Sequence, residues 1–223
     1  MRYLPINLDI RGRKVIIVGG GPVAERKCFT LMSAGADVTV IAPEITGALQ
    51  GLCEQGGIIH LCREYISGDL ENVFLVFAAT NDGEVNGRVA EEAKSRGIMA
   101  DITDLPQFGT FISPAVVSRG ELLISVSTGG EVPALAGRIR EELEARYGPE
   151  YAELTGILEK VREKLLTEKS GHQYNKTIIL NLLDHDLPGL IKRGDYMEID
   201  VVLSIICGPG FTLAELGIGK KDI

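Results

Sequence analysis

The stretch KVIIVGGGPVAERK, residues Lys14 to Lys27, decides how the rest of the chain is read. Its first half, Val15-Ile16-Ile17-Val18, is β-branched throughout and far too short for a membrane span. Such a run predicts a strand buried on both faces of a parallel sheet. Glycines then interrupt it, and a helix is expected to follow directly. Gly19, Gly21 and Ala24 fit the small-residue pattern G-x-G-x-x-A. In that pattern the first position permits the tight turn off the strand, the second lets backbone approach a pyrophosphate, and the third lets the helix pack closely on the sheet. Pro22 suits the first helical turn, where no N–H is needed. The helix start offers unpaired N–H groups and a partial positive charge to an anion. A second strand, Asp37 to Ala42, follows where a βαβ unit of roughly thirty residues places it, so a dinucleotide site is the expected reading.

One part of that fingerprint is missing. An acid for the ribose is expected about twenty residues on, at the end of the second strand, yet Ile41, Ala42 and Pro43 stand there. No arginine is present to receive a 2′-phosphate either, so NAD is favoured over NADP. Pro43 and Glu44 are expected to pass near the adenosine ribose. Glu44 also reads as an acidic first-turn residue of the next helix.

The whole chain sets outer bounds. Its 223 residues, 45% of them hydrophobic, suffice for an α/β domain with a smaller attachment. No apolar run reaches membrane-helix length and no signal-peptide core opens the chain, which predicts a soluble, cytoplasmic protein without a membrane partner. A net charge of −8 argues against a nucleic-acid partner, since phosphate neutralisation calls for a basic face. Cys28, Cys53, Cys62 and Cys207 form no C-x-x-C pair, and His60, His172 and His185 are scattered, so neither a disulfide framework nor a metal site is predicted.

Taken in order, Glu44 to Gln55 reads as a helix stopped at Gly56-Gly57, and Ile58 to Cys62 as a third strand. Leu75 to Ala79 is a fourth, ending in Thr80 and Asn81, which read as cofactor neighbours, although the pair Asn81-Asp82 ahead of a helix reads equally as a cap. Gly83 to Arg96 is a helix, ended by Gly97, and Ile98 to Ile102 a fifth strand. Alternation to this point specifies a doubly wound, Rossmann-type parallel sheet. The pattern then changes. Thr110 to Ser118 and Glu121 to Ser127, joined by Arg119-Gly120, predict a hairpin, and Pro133 opens a helix running to about Gly148. A hairpin and one helix are too small to fold alone, so this unit is expected to pair with its copy in a second subunit. The remainder is helical in pattern, with breaks at Gly171, Pro188-Gly189 and Gly208-Pro209-Gly210. The division expected is residues 1–112 for NAD binding, 113–148 for dimerisation, and 149–223 as a small helical C-terminal domain.

Together, LPINLDIRGRKVIIVGGGPVAERK, FAATND, DITDLPQFGTFISPA and ISVSTGGEVPALAGRIREELE give a sequence that resembles the precorrin-2 dehydrogenase family, the oxidase/ferrochelatase module of siroheme synthases. The likeness runs through about the first 150 residues and is loose beyond them. It implies NAD-dependent oxidation of precorrin-2 to sirohydrochlorin by a homodimer interlocked through residues of about 113–148. It further implies that Gly19, Gly21, Pro22, Val23, Pro43 and Glu44 contact NAD and that Asp104 is the essential aspartate. Some members also insert iron, which the sequence leaves open.

The residues agree with that role for Asp104. Oxidising a partly reduced tetrapyrrole yields a hydride for the nicotinamide and a proton for a base, and a carboxylate after the fifth strand stands on the appropriate rim. Asp104 also reads as a turn residue ahead of Pro106. Thr128 departs from the serine often found there; the Thr128-Gly129-Gly130 loop reads as a carboxylate-binding turn or a plain strand-to-helix turn. A substrate rich in carboxylates needs a local basic lining in an acidic protein, and Arg119, Arg138 and Arg140 are the candidates. The contrasting reading is a dinucleotide-sensing module without catalysis, which has no use for a carboxylate at position 104.

Overall fold

The computed structural model describes residues 2–168 and 172–219. The β-branched run forms β1 (Lys14–Val18), and β2 (Asp37–Ile41), β3 (Ile59–Leu61), β4 (Leu75–Ala78) and β5 (Met99–Ile102) join it in one parallel sheet ordered β3-β2-β1-β4-β5. The order reverses at β1, so the chain after β1 and after β4 diverges at one sheet edge, where doubly wound folds hold their ligands.

Alternation along each strand divides the core into two layers. Ile16, Val18, Ile41, Val76 and Ala78 face Val89, Ala90 and Ala93 of helix α3 (Gly83–Arg96). Val15, Ile17, Val38, Val40, Leu75 and Phe77 pack with Ala24, Cys28 and Leu31 of α1 (Pro22–Ser33) and Leu49 of α2 (Gly47–Glu54). Burial pushes the Cys28 thiol up to about 11, as for an inert core cysteine.

The chain divides into two compact units, Met1–Ser113 with Gly129–Glu131, and Pro114–Thr128 with Val132–Ile223. In the second, β6 (Ala115–Arg119) and β7 (Leu122–Val126) form the expected antiparallel hairpin, but residues 110–114 lie outside it, Arg119 pairs with Leu122 rather than turning, and the turn is Gly120-Glu121. Helices α4 (Pro133–Arg146), α5 (Glu150–Glu168), α6 (His172–Leu183), α7 (Leu187–Arg193) and α8 (Tyr196–Cys207) follow. Leu154, Ile157, Val161 and Leu165 recur at helical spacing on α5 and pack with Leu182, Leu187, Ile199, Leu203 and Phe211.

Two sequence expectations need correction. The second helix starts at Gly47 rather than Glu44, because Thr46 is its N-cap and accepts from Leu49 N at 3.3 Å. Glu44 therefore lies in the strand-to-helix loop and not in a first turn. Pro188-Gly189 does not break a helix but begins one: Asp186 caps α7, accepting from Gly189 N at 3.0 Å, and Pro188 occupies the first turn where a missing N–H costs nothing. The break at Gly208 is present, ending α8. The one at Gly171 lies outside the described residues.

Candidate functional site

The turn out of β1 explains its glycines one at a time. Gly19 has φ +120°, and a Cβ there would overlap the carbonyl oxygen of Ala79 in the loop after β4. A Cβ on Gly20 would overlap the carbonyl oxygen of Glu44 in the loop after β2. Gly21, by contrast, has extended backbone as the N-cap of α1, and a Cβ there would meet nothing within 4 Å among the described residues. Two glycines let the turn nest between its neighbouring loops; the third faces open space. Pro22 heads the helix as expected.

Hydrogen bonds stitch these loops together. Gly19 N donates to Ile41 O at 2.9 Å, Thr46 N to Gly20 O at 3.0 Å, and Ala79 N to Val18 O at 2.8 Å. The Thr46 hydroxyl donates to the Glu25 carboxylate of α1 at 2.5 Å. On the outer side His60 Nε2 lies 2.9 Å from Ala42 O, and the Cys62 thiol donates to Pro43 O at 3.2 Å.

These loops enclose a cleft of about 420 Å³. Gly19, Gly21, Pro22, Val23, Pro43, Glu44, Thr80 and Asn81, separated by as many as 62 positions in sequence, all line it. So do Gly20, Glu64 and Tyr65, which sequence reasoning passed over, and Asp82, which it read only as a cap. The charged side chains on the lining, Glu44, Glu64 and Asp82, are all acidic. Tyr65 is held by its hydroxyl, which donates to Glu92 at 2.5 Å, while burial and that carboxylate raise its pKa. Burial pushes Glu92 upward, but Tyr65, the Gly68 N–H and Arg96 outweigh it and hold the carboxyl below its ordinary value.

Where β4 meets α3 the fold supports a polar cluster. Asp82 caps α3, accepting from Glu84 N at 2.8 Å and Val85 N at 3.2 Å, as the Asn81-Asp82 pair predicts. Asn86, with 0% of its surface exposed, donates from Nδ2 to Thr80 O at 3.0 Å and to Asp104 Oδ1 at 2.7 Å. The Thr80 hydroxyl donates to Asn86 Oδ1 at 2.8 Å. Asp104 itself is exposed. The carboxylate after β5 is thus joined, through one buried amide, to a residue lining the cleft.

The residues expected to meet substrate carboxylates lie elsewhere in the sequence order and are absent from the cleft lining. Arg119 donates to Tyr147 O at 3.0 Å and Ser118 O at 2.8 Å, joining the hairpin to the end of α4. Arg138, 71% exposed, pairs with Glu142 at 3.3 Å and Glu141 at 3.7 Å along α4, and Arg140 pairs with Glu144. The Thr128 hydroxyl accepts from Val132 N at 3.2 Å, just ahead of α4, and Gly129 has φ +69°.

Comparison with known proteins adds independent findings. An NAD(P)-binding family model matches residues 6–115, and a model described as the sirohaem biosynthesis protein central region matches residues 119–146. A siroheme synthase of Pseudomonas entomophila (strain L48) is 41% identical over 165 residues, covering 74% of this chain and 36% of the relative. A siroheme synthase of Pseudomonas aeruginosa (strain LESB58) is 36% identical over 220 residues, covering 99% of this chain and 47% of the relative. The chain spans less than half the length of these curated relatives. Among solved structures, SirC, precorrin-2 dehydrogenase, aligns with a TM-score of 0.73 at 27% identity, covering 88% of this chain and 98% of that one.

Proposed function

From a chain that belongs to the precorrin-2 dehydrogenase and siroheme synthase N-terminal module family, we infer an NAD-dependent enzyme that oxidises precorrin-2 to sirohydrochlorin. The observation that carries the reading is the linkage of Asp104, through Asn86, to the rim of a cleft lined by the glycine turn. The residues present fit a dinucleotide: Gly21 leaves room for close backbone approach and α1 points its positive end at the space. When bound, the nicotinamide supplies a hydride acceptor. Oxidation then needs a group to take the accompanying proton, and an exposed carboxylate fixed by one oxygen meets that need. We assign that role to Asp104.

The wholly acidic charge of the lining supports NAD over NADP, because a 2′-phosphate would face Glu44 or Glu64 without a cationic partner. Gly19, Gly21, Pro22, Val23, Pro43, Glu44, Thr80 and Asn81 are the proposed cofactor contacts. Thr128, Gly129, Arg119 and Arg138 are kept as proposed contacts to the tetrapyrrole's carboxylates. We assign residues 113–148 to a homodimer contact; exposed Val116 and Leu123 on the hairpin and Leu135 on α4 supply apolar surface for it. No helix among the described residues is long and apolar enough to cross a membrane, and a water-soluble cofactor and substrate fit a cytoplasmic reaction. No observation favours a sensor without catalysis.

Anaerobic incubation of the purified chain with precorrin-2 and NAD, following NADH and the tetrapyrrole absorption together, tests the reading. NADH formed in step with sirohydrochlorin, slower with NADP and cut to a small residual rate in Asp104→Asn, is the expected result. Nucleotide binding without turnover overturns it. Sedimentation as a stable monomer at assay concentration overturns the dimer.

A further inference from the structure

We propose that Asn86 is the positioning residue for Asp104, fixing one carboxylate oxygen so that the other faces the substrate; the proposal rests on the dehydrogenase reading above. Asn86 stands at the fourth residue of α3, on the same face as Val89, Ala90 and Ala93, all buried. A polar side chain on an apolar stripe is costly unless its hydrogen-bonding groups are met. Here they are met completely. Both amide hydrogens are donated, one to Thr80 O at 3.0 Å and one to Asp104 Oδ1 at 2.7 Å, and the amide oxygen accepts the Thr80 hydroxyl at 2.8 Å.

This pattern fixes which end of the amide is which. Thr80 O and Asp104 Oδ1 are both acceptors, so only the NH₂ end can lie between them. The Thr80 hydroxyl has one hydrogen for two acceptors, the amide oxygen at 2.8 Å and Asp82 O at 3.0 Å, and the shorter contact orients the amide plane. The backbone N–H of Asn86, donated to Asp82 O at 3.0 Å, ties the same residue into the first turn of α3. The consequence for Asp104 is an exposed carboxylate held by one defined oxygen. Among the described residues that is its one hydrogen bond. Oδ2 is left to take a proton. Nothing in a structural role alone requires a buried amide to reach an exposed carboxylate; Thr80 O could have been met by any donor.

Two substitutions separate positioning from folding. Asn86→Ser is too short to span both acceptors. Asn86→Asp keeps the shape but sets a carboxylate oxygen against Thr80 O and Asp104 Oδ1. Each is made alone and with Asp104→Asn, and all are assayed anaerobically as purified full chain for NAD affinity, KM for precorrin-2 and kcat. Misplacing a reacting group by about 1 Å costs on the order of 100-fold. The expected result is a fall in kcat of that order for both single variants, with NAD affinity and KM within about threefold of the parent protein. In the Asp104→Asn background, neither substitution lowers the residual rate further, because the group being positioned is already gone. Equal fold losses in both backgrounds overturn the proposal, as does a rate loss that tracks NAD affinity. Failure of both variants to bind NAD overturns it too, by making Asn86 a folding residue. Full activity of Asp104→Asn alone defeats the dehydrogenase reading itself, whatever Asn86 does.

Discussion

Alanine at Gly20 and alanine at Gly21 should fail in opposite ways. A methyl on Gly20 would overlap Glu44 O and lie 2.9 Å from Ile45 Cγ2 and 3.0 Å from Glu44 C. Two of the three obstructing atoms are backbone, and Gly20 O holds that same segment through Thr46 N at 3.0 Å, so moving the Ile45 side chain alone does not relieve the overlap. Overpacking of this kind costs about 1–3 kcal/mol. For a chain of this size each kcal/mol lowers the melting temperature by about 2–4 °C, so a fall of roughly 2–12 °C is expected. At Gly21 the backbone is extended and a methyl meets nothing within 4 Å. The change there is the poorer N-cap, about 0.5–1 kcal/mol. The methyl does fill the space through which a pyrophosphate would approach, so NAD affinity should fall at least about tenfold, or 1.4 kcal/mol. Differential scanning calorimetry of the two variants without nucleotide, paired with NAD titration calorimetry, reads both quantities. If Gly21→Ala melts as early as Gly20→Ala, or Gly20→Ala melts with the parent protein, the assignment of one glycine to packing and the other to the ligand is wrong.

Three further outcomes follow from named contacts. Lys27 and Asp101 form a buried pair at 2.7 Å, with side chains 12% and 9% exposed and Ser113 bonded to the same carboxylate oxygen at 2.6 Å. Lys27→Met leaves that charge without its cation and should cost about 3–5 kcal/mol in urea unfolding, with Lys27→Met/Asp101→Leu costing less than the sum of the singles. Glu153 has a buried Oε1 with no hydrogen-bond partner among the described residues, and burial raises its pKa, partly offset by Tyr196. Its folded value lies above its unfolded one, so it favours the fold below the ordinary value of 4.5 and that contribution is lost as pH rises through the raised value. Glu153→Gln should therefore melt a few degrees higher than the parent near neutral pH, with the gap closing below pH 4.5; a pH-independent gap would contradict this. Glu44→Arg with Glu64→Gln should shift the NAD-to-NADP ratio of kcat/KM toward NADP by at least about tenfold, since a charge reversal near a surface is worth about 1–4 kcal/mol.

The parallel sheet was legible because its signals are local. A run such as Val15 to Val18 can be little other than a buried strand, and Gly97 or Asp82 mark helix ends by chemistry confined to one turn. The glycine wall of the cleft was legible for the same reason, through a turn whose small residues are consecutive. What escaped depends on partners distant in sequence. Gly20 is required by a carbonyl 24 residues away, and Glu64 and Tyr65 reach the cleft only because β3 pairs with β2. The start of α2 was misplaced because Glu44 suits a first helical turn, whereas Thr46, two residues on, bonds both Leu49 N and Glu25. Asn86 did leave a trace: it sits three, four and seven residues before Val89, Ala90 and Ala93, a polar residue in step with an apolar face. Its partner 18 residues later could not be named from that spacing.

Thr46 carries a consequence for anyone who would re-engineer this pocket. Its hydroxyl serves the opening turn of α2 and the Glu25 carboxylate of α1, while its N–H serves Gly20. The segment from Pro43 to Thr46 is therefore not an exchangeable cassette. A loop transplanted from an NADP-preferring protein to gain an arginine would have to bring a hydroxyl residue at position 46 and a carbonyl that tolerates Gly20. Otherwise the graft would unfasten the start of α2 and its tie to α1 at once, and the new arginine would stand in a cleft whose wall had come loose.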